Sequence, residues 1–352
     1  FLIPFFIGVL TFFSAIFNDY FYTILLGSSQ IGQGAFWYFD FAILILFFSS
    51  VVCNYKLRLF FFLNILALTT LVTVFTLSPF WKGINISFFY FNDYLCYFGI
   101  ISFILFTSLI KKKLPILLAY CFLGFYLSLL DNRAATILWG LVFFIAFIYE
   151  ILCLFRNNGI ITKCKNLLFS NLVLTLSVFI SSSLILASSL IFWRGEGSLP
   201  SEIASSALAS IVVRGKLVEV VLSDFFNFKN ILLGEGWGRV PDLLLIQMNA
   251  WQFDQLTVGF NLHFHTHNEM FEHFFSLGIP GLMLFLIFIF YILKNSEFIS
   301  IYNKIGWLLF FYVSCFWFFW AGTMPIFALA IGPLASTHVS KLKFISKDIN
   351  KI

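Results

Sequence analysis

Of 352 residues, 61% are hydrophobic and only 11% charged, mean hydropathy is +0.98 and the formal net charge is +5. A water-soluble domain of this size carries roughly a quarter charged residues, so composition excludes an ordinary globular core and points to lipid as the solvent. The apolar runs are continuous over about 17–25 residues rather than alternating, which excludes a barrel and leaves spanning helices, because backbone groups in lipid must pair within the chain.

The expected architecture is an all-α polytopic membrane protein with about ten spans, at 1–17, 36–53, 59–78, 90–110, 114–130, 134–155, 167–193, 270–293, 305–320 and 323–337. Gly322 and Pro325 mark a tight turn between the last two, and a single broken helix is the rival there. The chain starts at Phe1 inside an apolar run without an initiator Met, so further residues are expected upstream. Of its six cysteines, Cys53, Cys96, Cys121, Cys153 and Cys315 lie in apolar runs and Cys164 in a basic loop, with no CxxC pattern and no disulfide framework.

Orientation follows from the basic residues. Fourteen lie on one side: Lys56, Arg58, Lys111, Lys112, Lys113, Arg156, Lys163, Lys165, Lys294, Lys304, Lys341, Lys343, Lys347 and Lys351. Seven lie on the other, most of them in one long loop. The richer side is expected to be cytoplasmic, with both termini on it. Three regions result: N-terminal spans at 1–193, an outer loop at 194–269, and C-terminal spans with a cytoplasmic tail at 270–352.

Asp131-Asn132-Arg133 links two spans on the outer side. Arg133 opens the second of them, either paired locally with Asp131 or offered to an anion. The long loop keeps Ile, Leu, Val, Trp and Phe throughout, so it is expected to fold rather than to be disordered. Up to His263 it holds five basic and seven acidic residues, a net of −2, which is no footprint for nucleic acid or anionic lipid. Residues 203–222 read as a helix. Placing Arg214 at zero on a wheel of about 100° per residue puts Lys216, Glu219 and Ser223 about 200°, 140° and 180° away. Arg214 thus shares its face with Leu217, Val218, Val221 and Ser210. It either snorkels along apolar surface to water or aims at an anion in a closed cavity.

Gly234-Glu235-Gly236-Trp237-Gly238 follows. It reads as a tight backbone path or a plain turn with Trp237 at the membrane interface, and no Lys-Ser/Thr follows to make it a nucleotide loop. The densest constellation is His263-Phe264-His265-Thr266-His267-Asn268-Glu269, then Glu272 and His273, directly before an apolar run. Asn268 or Thr266 suits a helix N-cap, Glu269 and Glu272 suit the positive end of the helix dipole, and Glu269 shares a face with His273. Three readings compete: a polar helix start, a metal site on alternating His263, His265 and His267, or acid–base work by one histidine. Gly278-Ile279-Pro280-Gly281 then predicts a break or kink.

Taken in order, these pieces resemble the bacterial O-antigen ligase and O-antigen polymerase superfamily. The resemblance rests on Asn132-Arg133-Ala134, Val213-Arg214-Gly215, Leu232-Leu233-Gly234-Glu235-Gly236-Trp237-Gly238, His267-Asn268-Glu269 and Gly278-Ile279-Pro280-Gly281, and covers roughly residues 130–290. It implies a GT-C-like inner-membrane glycosyltransferase with its loop in the periplasm. Members usually have about twelve spans, so ten fits a missing N-terminal hairpin. The implied reaction is independent of metal and cofactor. A glycan on a polyprenyl diphosphate passes to a hydroxyl of lipid A-core or of a second lipid-linked glycan.

By the resemblance, Arg214 and Arg133 bind the diphosphate, His267 or His265 serves the acceptor hydroxyl, and Glu269 orients either ring. Gly234, Gly236, Trp237, Gly238 and Asn268 shape the loop. No DxD-like pair sits where a metal-dependent glycosyltransferase would need one. The other function classes are a transporter or flippase for a lipid-linked or anionic solute, for which the Gly278–Gly281 break would be suited, and a metal sensor built on the histidines.

Overall fold

The computed structural model describes residues 2–27, 32–77, 91–130, 133–154, 169–192, 227–247, 257–258, 261–262, 268–316 and 323–334, and the single positions 162, 166, 217, 221, 222, 225 and 266. The elements in chain order are α1 Leu2–Ile16, α2 Phe21–Leu26, α3 Ala35–Val51, α4 Tyr55–Leu77, α5 Phe91–Leu109, α6 Lys113–Leu129, α7 Arg133–Leu154 and α8 Asn171–Phe192. Then come α9 Phe228–Leu233, α10 Val240–Gln247, β1 Thr257–Val258, β2 Asn261–Leu262, α11 Glu269–Ser296, α12 Ile301–Ser314 and α13 Met324–Leu334. The chain is predominantly helical. Each apolar run read from the sequence has a helix on it, with ends displaced by a few residues.

Among the described residues one helix, α11, is long and apolar enough to cross a membrane; α1, α3, α6, α13 and stretches of α5, α7 and α8 are shorter apolar helices. The short α2, α9 and α10 were not distinguished in the sequence, because one or two turns give too little periodicity to separate from a loop. The same holds for β1 and β2, an antiparallel ladder pairing Thr257 with Leu262 and Val258 with Asn261. The helix expected at 203–222 lies outside the described residues except for Leu217, Val221 and Leu222.

The chain forms two compact units. One comprises 1–42, 176–288 and 314–321; the other comprises 43–175, 289–313 and 322–352. In the first, α1, α2 and α3 close on Ala15, Ile24, Leu25 and Ala35, with Phe39 packed against them. Gly8 of α1 makes room for the Phe39 ring, which a Cβ there would meet at 2.8 Å. A second cluster joins the loop to the start of α11: Leu217, Val221, Phe225, Val240 and Leu243 against Phe271 and Phe275.

In the other unit, α6 buries Ile116, Tyr120, Leu123, Gly124 and Leu127. Tyr120 stacks on Trp139 of α7, whose indole N–H donates to the Tyr120 carbonyl at 3.0 Å. The opposite face of α6 exposes Leu114, Leu117, Leu118, Phe122, Phe125 and Leu129 at helical spacing. On α12, Asn303 donates to the Ile104 carbonyl and to the Thr107 hydroxyl of α5, both at 2.9 Å.

The break expected in α11 is present. Gly278 has φ 65°, ψ −160°, and Pro280 sits in the first turn beyond it. Pro280 has no N–H for the Ser276 carbonyl four residues before it, and the turn at Gly278 disrupts the pattern that would serve Phe275. The loop supplies both donors: Glu235 N–H binds the Phe275 carbonyl at 2.9 Å and Gly236 N–H the Ser276 carbonyl at 3.0 Å. That approach needs bare backbone on both sides. A Cβ on Gly234 (φ 73°) would collide with Ser276, and one on Gly278 with the Ile231 carbonyl.

Gly234→Ala and Gly278→Ala are each expected to destabilise by about 2–4 kcal/mol, through a left-handed φ that alanine resists and a backbone collision. Both disturb one contact, so the double variant should lose less than the sum. Unfolding midpoints of the purified protein in detergent measure this, and full additivity would show that the contact is not shared.

Candidate functional site

The first unit gathers a set of buried polar side chains from three distant parts of the chain. It is built on the start of α11. Asn268 caps this helix: its Oδ1 accepts Phe271 N–H at 3.0 Å, and Ser182 of α8 donates its hydroxyl to the same oxygen at 2.8 Å. Glu272 reaches back to accept Thr266 N–H at 3.0 Å, and the Thr266 hydroxyl donates to the Asn268 carbonyl at 3.2 Å. Thr266, Asn268, Glu269, Glu272 and His273 are all buried.

Glu269 and His273, one turn apart, share a face as their spacing required. His273 Nδ1 lies 2.8 Å from the Glu269 carbonyl and 3.5 Å from its carboxylate. The segment leading into α3 completes the network. Gln33 Nε2 donates to Glu269 Oε1 at 2.8 Å and to the Tyr38 oxygen at 3.0 Å, and the Tyr38 hydroxyl lies 2.9 Å from His273 Nε2.

These contacts fix the protons. A carbonyl only accepts, so His273 Nδ1 carries hydrogen. A neutral imidazole with hydrogen on Nδ1 leaves Nε2 bare, and the Tyr38 hydroxyl donates to it. The ring is therefore the neutral Nδ1–H tautomer, held by one donor and one acceptor. Phe285 stacks on it at 4.0 Å between centroids, and the Trp237 ring meets it edge-on at 5.0 Å.

Trp237 arrives on the glycine loop. It is buried, and its indole N–H donates to the Thr11 hydroxyl of α1 at 3.1 Å. The loop's alternating glycines all have positive φ: 73° at Gly234, 93° at Gly236 and 77° at Gly238. Gly236 lies so close to Ile24 of α2 that a Cβ would collide with it. Glu235 is held by the side-chain amide of Asn230. Arg239 follows at once, buried, ion-paired to Asp242 at 2.8 Å, with its guanidinium 3.1 Å from the Tyr20 ring centroid.

Of the residues singled out in the sequence, the structure brings together Glu269, Asn268, Gly234, Gly236, Trp237 and Gly238. Arg214, His263, His265 and His267 lie outside the described residues. Arg133 is described in its backbone, which opens α7, and not in its side chain. Among the described residues no three His, Cys, Asp or Glu side chains converge as a metal site.

Sequence reasoning missed Thr11, Gln33, Tyr38 and Arg239, and it noted His273 without giving it a role. The signals were faint: a lone Gln between Gly32 and Gly34 before an apolar run, and an Arg directly after the Gly-Trp-Gly stretch.

Tyr38→Phe removes the donor to His273 Nε2 and the acceptor for one Gln33 N–H, leaving both buried and unpaired. The expected loss of stability is about 1–3 kcal/mol. Adding Gln33→Leu should then cost less than it does alone, and equal effects in both backgrounds would show that the groups act independently. In 15N spectra of the protein, His273 should show a protonated Nδ1 and an unprotonated Nε2. No protein-family model matches this chain, and no curated protein or solved structure is detectably similar to it, so the functional reading rests on its residues and their arrangement.

Proposed function

We propose that the chain is a metal-independent membrane glycosyltransferase of the O-antigen ligase or polymerase type, acting on the periplasmic face of the bacterial inner membrane. It would span the membrane about ten times, with both termini in the cytoplasm. The membrane reading is supported by inverted polarity: Leu and Phe side chains cover one face of α6, while Glu269, Glu272, His273 and Lys304 are buried.

The observation that carries the enzymatic reading is the physical union of two motifs. The Gly234–Gly238 loop binds the carbonyls freed at the Gly278 break in α11, and it packs Trp237 on His273, one turn beyond the His267-Asn268-Glu269 start of that helix. In the proposed reaction an acceptor hydroxyl attacks the anomeric carbon of the polyprenyl-linked glycan. The bond from that carbon to the diphosphate oxygen breaks, and the lipid diphosphate leaves. His267, or His265, takes the hydroxyl proton. Arg214 and Arg133 neutralise the departing charge, for which a guanidinium gives paired donors to phosphate oxygens. Glu269, anchored by Gln33, ties this turn to the buried network.

A transporter would also use a broken helix. Here the carbonyls of Phe275 and Ser276 at the break are already bound by Glu235 and Gly236, which favours a fixed scaffold over an ion-binding gap.

Purified protein given a polyprenyl-diphosphate glycan and an acceptor should transfer sugar with chelator present. Arg214→Ala and His267→Ala should each lower the rate by about 10²–10³-fold. Undiminished rates in both would overturn these roles. In a deletion strain, loss of all long chains with retained lipid-linked polymer identifies a ligase with lipid A-core as acceptor. A single repeat unit on the core identifies a polymerase.

A further inference from the structure

The second unit holds a cavity that the proposed transfer reaction does not use. Its volume is about 650 Å³, within the range of small-molecule sites, and its described lining is Tyr149, Asn166, Phe169, Ser170, Asn171, Glu297, Ile301 and Lys304. Lys304 is nearly fully buried, which is unusual for a lysine, and its ammonium is held at the wall by the Phe169 carbonyl at 2.9 Å and by exposed Glu297 at 3.1 Å.

Two long helices begin on the same wall. α8 starts at Asn171, with the Ser170 hydroxyl accepting Val173 N–H at 3.3 Å. α12 starts at Ile301, with the Ser300 hydroxyl accepting Asn303 N–H at 3.0 Å. Both turn the positive ends of their dipoles to the cavity and add to the Lys304 charge. The lining also offers acceptors: the Glu297 carboxylate and the Asn171 side-chain oxygen, which is buried with no hydrogen-bond partner among the described residues. Phe169 and Ile301 supply apolar wall.

We propose that this cavity binds a phosphate-bearing headgroup that also carries an amine or hydroxyl donor, of the kind found on phospholipids and on small phosphate esters. The phosphate would sit against Lys304 and the starts of α8 and α12, and the donor against Glu297 and Asn171. The cavity stands among the helix ends that the basic-residue count assigns to the cytoplasmic side, where lipid headgroups are at hand.

The test is binding by the intact purified protein, read by calorimetry and by native mass spectrometry, with short-chain phosphatidylethanolamine, phosphoethanolamine and a short-chain diacylglycerol as probes. The phosphate probes should bind and the diacylglycerol should not. Asn166→Asp, which adds a negative charge at the exposed rim without touching buried contacts, should weaken binding of inorganic phosphate several-fold. Glu297→Gln, which removes the competing carboxylate, should strengthen it several-fold. Tighter binding of the lipid than of phosphoethanolamine assigns the site to a membrane headgroup, and equal binding assigns it to a soluble ester. Diacylglycerol binding as tightly as the phospholipid, no phosphate binding, or phosphate affinity unchanged in both variants would overturn the proposal. None of these readouts depends on glycosyl transfer.

Discussion

Two carbonyls left without helical partners in α11 organise the first unit. Pro280 removes the N–H that the Ser276 carbonyl would accept, and Gly278 turns the chain out of helical geometry. A break of this kind inside an apolar environment would leave polar backbone exposed to hydrocarbon, at several kcal/mol per group. The protein answers with a second irregular segment: the N–H groups of Glu235 and Gly236 take those carbonyls. Two segments that would each be unfavourable alone satisfy one another. The requirement for glycine at both Gly234 and Gly278 follows from how closely the backbones meet.

From that contact the polar cluster follows. Fixing the loop on α11 delivers Trp237 to the edge of the His273 ring and its indole N–H to Thr11. His273 is then enclosed by Trp237 and Phe285, with Tyr38 and the Glu269 carbonyl at its two nitrogens. A neutral imidazole so held is a structural link rather than a free base. Proton transfer in the proposed reaction is accordingly given to the histidines that precede the helix, whereas His273 and Gln33 hold Glu269 from behind. The capping by Asn268 and the return of Glu272 to Thr266 N–H fix the start of α11.

The two units carry different electrostatics. In the first, the acidic pair Glu269 and Glu272 occupies the helix start and meets its dipole directly. In the second, Lys304 stands beside two helix starts, a like-signed arrangement relieved by one exposed carboxylate, Glu297. That contrast suits the first to positioning chemistry at a helix start, and the second to a phosphate.

The sequence by itself determined the long helices. Uninterrupted apolar runs of this length point to helices, so these could be placed within a few residues. It also narrowed what is local to the start of α11: a cap at Asn268 or Thr266, the Glu269–His273 pairing one turn apart, and a break or kink within Gly278–Gly281, because each depends on residues four or fewer apart. Tertiary structure alone decided which distant residues complete the site. Gln33 and Glu269 are 236 positions apart, and nothing in the composition around Gln33 names its partner. The burial of Trp237, the stacking of Arg239 on Tyr20 and the joining of the glycine loop to the broken helix depend on the same long-range packing. Local periodicity reports which face of a segment is apolar; it carries no record of which segment that face will meet.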